Sequence, residues 1–102
     1  ISDEGVKALA GVHTIKLVKT YVTDIGIKAL AGVHTINLAT CRNITAASMK
    51  SLEGACEVDL SFTNATDDWL SPLSGVKELT IFGCNITEEG VKALKGVNIN
   101  SD

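Results

Sequence analysis

VTDIGIKALAGVHTINLATCRN, residues 22–43, follows ISDEGVKALAGVHTIKLVKTY, residues 1–21, as a near copy of it. The same step gives ITAASMKSLEGACEVDLSFTN from Ile44, ATDDWLSPLSGVKELTIFGCN from Ala65 and the shorter ITEEGVKALKGVNINSD from Ile86. About five units of 21–22 residues therefore start at 1, 22, 44, 65 and 86. A period in the twenties belongs to a stack of small coils rather than to longer helical repeats or propeller blades. Residues 1–102 read as a single domain, because each coil buries its apolar side only against its neighbours.

Each part of the unit has a physical reason. Ser2, Thr23, Thr45, Thr66 and Thr87 stand where a helix begins, with a hydroxyl able to accept a first-turn N–H. Acidic residues follow at Asp3 and Glu4, Asp24, Asp67 and Asp68, and Glu88 and Glu89, matching the positive end of the helix dipole. Apolar residues three apart then share one helix face: Val6 and Leu9, Ile27 and Leu30, Met49 and Leu52, Leu70 and Leu73, Val91 and Leu94. Gly11, Gly32, Gly54, Gly75 and Gly96 end the helices, where a left-handed residue is wanted. Beyond each glycine the periodicity changes to alternation, the mark of a half-buried strand. Ile15 and Leu17 point inward around Lys16, as do Ile36 and Leu38 around Asn37, Val58 and Leu60 around Asp59, and Leu79 and Ile81 around Thr80. The predicted fold is α/β: a right-handed βα solenoid with a parallel sheet on its concave face and helices behind.

Read from Val33, the pattern V-x-x-I-x-L-x-x-C-x-x-I-T closely resembles the cysteine-containing class of leucine-rich repeats. Cys41 and Cys84 match the class position, and Thr20 and Thr63 occupy it in other units. The resemblance implies that this residue lies under the bend after the strand and bonds backbone of the neighbouring turn. It covers essentially the whole chain. The class is similar to repeats of F-box and ribonuclease-inhibitor-like proteins. No F-box segment is present in this sequence, so membership of a ubiquitin-ligase adaptor is an association only.

Composition narrows the function. A formal charge of −3 does not supply the basic face that a nucleic-acid partner needs. No apolar run approaches the roughly 18 residues of a membrane span. Three cysteines make no disulfide framework. Cys41 and Cys84 fall two units apart, about 10 Å on strand spacing, beyond the reach of about 7 Å for a disulfide. Free thiols favour a cytoplasmic setting. Asn43-Ile44-Thr45, Asn64-Ala65-Thr66 and Asn85-Ile86-Thr87 satisfy the N-glycosylation pattern and support the secreted alternative, although the repeat itself generates them. The sequence starts at Ile1 within the pattern, as an excised segment or processed product would. His13 and His34 occupy equivalent positions with no third ligand recurring beside them, so no metal is expected. No cofactor motif and no catalytic arrangement emerge, and the chain is not expected to be an enzyme.

Divergence between close copies marks where packing is indifferent or where something else selects. The outward strand positions form three columns: Thr14, Thr35, Glu57, Glu78; Lys16, Asn37, Asp59, Thr80; and Val18, Ala39, Ser61, Phe82. Lys19, Thr40, Phe62 and Gly83 run beside the third. Charge drifts from basic in the first unit to acidic in the third and fourth. The expected binding surface for another protein comprises Lys16, Val18, Asn37, Glu57, Asp59, Ser61, Glu78, Thr80 and Phe82, suited to a basic and apolar patch. Phe62 either joins it or tucks under the adjoining loop. Trp69 and Pro72 break the pattern in the fourth unit, and a helix reshaped into a tighter turn is expected there. The rival reading is a structural segment of a longer repeat protein, self-assembling through uncapped ends.

Overall fold

The computed structural model describes residues 3–101, so Ile1 and the expected cap Ser2 lie outside the described residues. Five three-residue strands, β1 (Thr14–Lys16), β2 (Thr35–Asn37), β3 (Glu57–Asp59), β4 (Glu78–Thr80) and β5 (Asn98–Asn100), form one parallel sheet in sequence order. Every residue pairs with its repeat equivalent, as in Ile15 with Ile36, Ile36 with Val58, Val58 with Leu79, and Leu79 with Ile99. A one-residue slip would turn every inward side chain outward, so the apolar alternation fixes this register. Leu17, Leu38 and Leu60 extend the ladder beyond the strands, each donating its amide to the next unit over 2.8 Å.

The return path of three units is a single helical turn: α1 (Asp3–Lys7), α2 (Asp24–Lys28) and α3 (Ala47–Ser51). The fifth carries α4 (Glu88–Lys92). In the fourth unit two 3-10 turns, Asp67–Trp69 and Ser71–Leu73, replace the helix. Pro72 lacks the N–H that an α-turn would use, and the tighter turn tolerates it. Trp69 is 6% exposed and belongs to the core. The core is one continuous layer in which Ile27, Met49, Leu70 and Leu30 from the return path meet Ile36, Val58 and Leu79 from the sheet. Leu9, predicted to be inward, is exposed, whereas its equivalents Leu30, Leu52, Leu73 and Leu94 are covered. No described unit stacks in front of the first.

Gly11, Gly32 and Gly96 end their helices at φ of 89°, 94° and 85°, the left-handed conformation expected of them. Gly54 and Gly75 do not share it, which corrects that expectation for two units. The chain leaves α3 and the 3-10 turns by another path.

Neighbouring units are joined along the helix side by a device that the sequence reading missed. The Asp3 carboxylate accepts the Thr23 amide at 2.8 Å and its hydroxyl at 2.6 Å. Asp24 does the same with Thr45, and also accepts the Ser48 hydroxyl. Asp67 receives Thr87 at 2.9 and 2.6 Å. Each of these hydroxyls in turn accepts an amide of its own helix start: Ile25, Ala47 and Gly90 respectively. The chain amide, threonine and aspartate form a relay from one unit to the next. Hydrogen bonds from Thr23 and Thr87 hold Asp3 and Asp67 below the ordinary carboxylate range. For Asp24, burial pushes the value up, but the bonds from Ser48 and Thr45 outweigh it and the net shift is downward. Thr66, facing Ala46, makes no such cap.

The cysteine position joins units on the other side of the coil. The Cys41 thiol donates to the Leu17 carbonyl at 2.7 Å, and the Cys84 thiol to the Leu60 carbonyl at 3.0 Å. Both acceptors lie in the preceding unit, as the resemblance implies. Cys41, Cys56 and Cys84 are all free.

Candidate functional site on the outer face of the sheet

Alternation leaves the outer face of the sheet to the residues flanking each inward strand position. Lys16, Asn37, Asp59, Thr80 and Asn100 form one row, and Thr14, Thr35, Glu57, Glu78 and Asn98 another, both in strict pairing register. A shallow groove of about 150 Å³ runs along these rows. A roomier hollow of about 360 Å³ lies at the fifth unit between Ile81, Ile86 and Val91, away from the predicted surface.

Two side chains on the face are tied down locally. The Asn37 carbonyl oxygen accepts the Ala39 amide, and an Asp59 oxygen accepts the Ser61 amide, both at 2.9 Å. These bonds bend the chain into the turn after the strand. Neutral donors reach the other two carboxylates: Thr35 Oγ1 to Glu57 at 3.2 Å and Asn100 Nδ2 to Glu78 at 3.1 Å. Among the described residues the one ion pair is Lys7 with Glu4, on α1. Glu57, Asp59 and Glu78 thus gather on the face with no ion pair to any of them among the described residues, and Glu57 stands directly opposite Glu78. Like charges in that relation destabilise a sheet.

The third column is less uniform than predicted. Val18 and Phe82 are exposed, the latter at 40%. Ser61 is 4% exposed and does not present a contact surface. Its hydroxyl accepts the Phe82 amide at 3.1 Å, so the next unit's backbone closes over it. Beside this column, Lys19, Thr40, Phe62 and Gly83 all take positive φ, from 58° to 68°. A left-handed residue turns the chain out of every one of the first four strands, although three of the four carry a Cβ. Phe62 is half exposed, with its ring edge against Gly83, where a Cβ would overlap the ring. Both of its alternatives are partly realised: the ring covers the adjoining turn and still shows a face to solvent.

His13 and His34 stack with ring centroids 4.3 Å apart, each Nδ1 within 2.9 Å of the following threonine hydroxyl. Among the described residues, no group of three or more His, Cys, Asp or Glu side chains could hold a metal ion.

Residues 76–95 match the leucine-rich repeat family model. The stretch spans β4 through α4, and the other units share its register. A search of curated proteins gives no match. Among the described residues, no helix is long and apolar enough to cross a membrane. A leucine-rich repeat stacks its strands in parallel and leaves their outer side chains free of packing duty. Repeats of this family serve as protein-interaction modules, and the fold alone does not name the partner.

Proposed function

We propose that the chain is a non-catalytic protein-binding module whose contact surface is the outer face of the sheet. The partner presents a basic segment beside an apolar one. The observation that carries the reading is the gathering of Glu57, Asp59 and Glu78 beside exposed Phe82, with no ion pair to any of them among the described residues. Lys16 and Val18 at the far end set the polarity in which a partner lies. Asn37 and Thr80 supply neutral hydrogen-bonding groups between. Phe82 is the anchor, because a solvent-facing aromatic loses area to a partner at small conformational cost. The bonds of Cys41 and Cys84 to backbone support membership of the cysteine-containing class. They also support a reducing, cytoplasmic setting, since each thiol serves as a donor in a way a disulfide would abolish. Glycans found at Asn43, Asn64 or Asn85 in native material would sink that part.

The test uses two baits, the chain and its Asp59→Lys/Phe82→Ala variant, matched for folding by circular dichroism. A direct partner of the first should bind the second more weakly by at least about 2 kcal/mol, roughly thirtyfold in Kd. Equal binding by both baits would move the site elsewhere.

A further inference from the structure

We propose that the solenoid has two kinds of joint, three fastened by carboxylate clamps and one, between the third and fourth units, by Trp69, and that in acid the tryptophan joint outlasts the others. The units supply their own comparison. Asp3 faces Gly26, Asp24 faces Ser48 and Asp67 faces Gly90 in the following unit; a Cβ on Gly26 or Gly90 would overlap the aspartate oxygen. A carboxylate in one unit therefore requires a small residue in the next. At the remaining joint both partners change together: Ala46 stands in the aspartate position and Trp69 in the small one. By equivalence with Gly26 and Gly90, whose missing Cβ faces the preceding aspartate, the buried indole of Trp69 takes the space and the fastening role of the carboxylate. Thr66, whose equivalents each hold an aspartate, is left without a cap bond.

The two fastenings differ in what dissolves them. A clamp needs its aspartate ionised, because only the carboxylate accepts both threonine bonds fully. Burial of an indole has no titrating partner. The charged groups on the elements packed around the clamps are Glu4 and Lys7 on α1, Lys28 on α2, Lys50 on α3, Asp68, and Glu88, Glu89 and Lys92 on α4. Lys7 favours the ionised form of Asp3, and Asp3 disfavours that of Asp24. Across the tryptophan joint, on the sheet side, Glu57 faces Glu78.

Trp69 is the chain's one tryptophan, and its 3-10 turn also carries the Asp67 clamp, so its emission reports on the fourth unit's turn and amide exchange is needed to single out the joint. Acid titration of the intact chain should lose helical ellipticity before the emission shifts to the red. Amide exchange provides the second reading. The Cys56 and Glu57 amides bond His34 across the second joint, and the Lys77 and Glu78 amides bond Cys56 across the third. Between about pH 6 and 2.5 the first pair should lose protection by at least roughly tenfold more than the second, the worth of a charge-assisted bond. Ala46→Asp/Trp69→Gly should make the third joint as acid-sensitive as the second. A single coincident transition, or equal loss of protection at both joints in the wild type, overturns the proposal whether or not that variant folds. The measurement uses the free chain, so its failure leaves the binding surface untouched, and failure of the binding test leaves the joints untouched.

Discussion

Gly83→Ala tests the geometry on which the aromatic edge of the surface depends. Gly83 has a φ of 68°, and its missing Cβ leaves room for the Phe62 ring. Alanine brings two separate costs. The left-handed conformation of an L-residue costs about 1–2 kcal/mol. Displacing the ring adds about 1 kcal/mol, at the low end for overpacking because a half-exposed ring can swing away. The single substitution should therefore lose about 2–3 kcal/mol. In a Phe62→Ala background only the conformational part remains, about 1–2 kcal/mol. The coupling energy, about 1 kcal/mol, is measured by urea unfolding of the wild type, both single variants and the double. A coupling below roughly 0.4 kcal/mol, the limit of additivity for independent sites, would refute the ring contact. Lys19, Thr40 and Phe62 bound the conformational term, since each holds the same turn with a Cβ in place.

Three further outcomes follow from the joints and helix ends. Gly54→Ala and Gly75→Ala should each raise stability by about 0.5 kcal/mol, because neither glycine is left-handed and neither Cβ meets anything closer than ordinary contact. Gly32→Ala, at a φ of 94°, should lower it by about 1 kcal/mol in the same unfolding assay. Asp3, Asp24 and Asp67 all titrate below their ordinary 3.8 in the folded chain. The folded state releases these protons more readily than the unfolded one. Their contribution is thus full above about pH 4 and drains as pH falls through the folded values. Denaturation midpoints measured across that window should drop, and drop less steeply for Asp24→Asn. Cys41→Ala should cost about 0.5–1.5 kcal/mol by removing the thiol bond to the Leu17 carbonyl, which keeps the Thr20 amide, and alkylation of the native chain should spare the buried Cys41.

The register of the solenoid was legible because two demands repeat in every unit, an apolar side chain inside and a turn at each end. The pairing of Lys16 with Asn37, Asp59 and Thr80 follows from those alone. Much of what escaped the reading has one cause: the contact spans a unit. Asp24 looks like a dipole partner within its own helix, and only the stack brings Thr45 and Ser48 to it. The signal was present in the joint change from Asp with Gly to Ala46 with Trp69. Ser61 was misplaced because alternation was carried past the strand to a residue that the next unit's backbone covers. The left-handed turn at Lys19, Thr40 and Phe62 was hidden because only Gly83 announces it by residue type.

The same comparison of units bears on where function resides. Inward strand positions vary only among Ile, Val and Leu, since a core layer about one coil thick allows little else. The helix-side joints vary within what the space allows: beside aspartate the facing residue is Gly or Ser, and Trp69 enters only where Ala46 replaces the aspartate, because a carboxylate and an indole cannot fill one space. On the outer face of the sheet neither constraint acts, and neutral residues there would stack at least as well. Yet Glu57 and Glu78 stand opposite one another beside Asp59, where Thr14 and Thr35 show that threonine serves. Sheet stability disfavours that choice. A cationic partner on this face turns the repulsion into attraction, which is why the surface reading rests on the third and fourth units and not on the nearly identical first two.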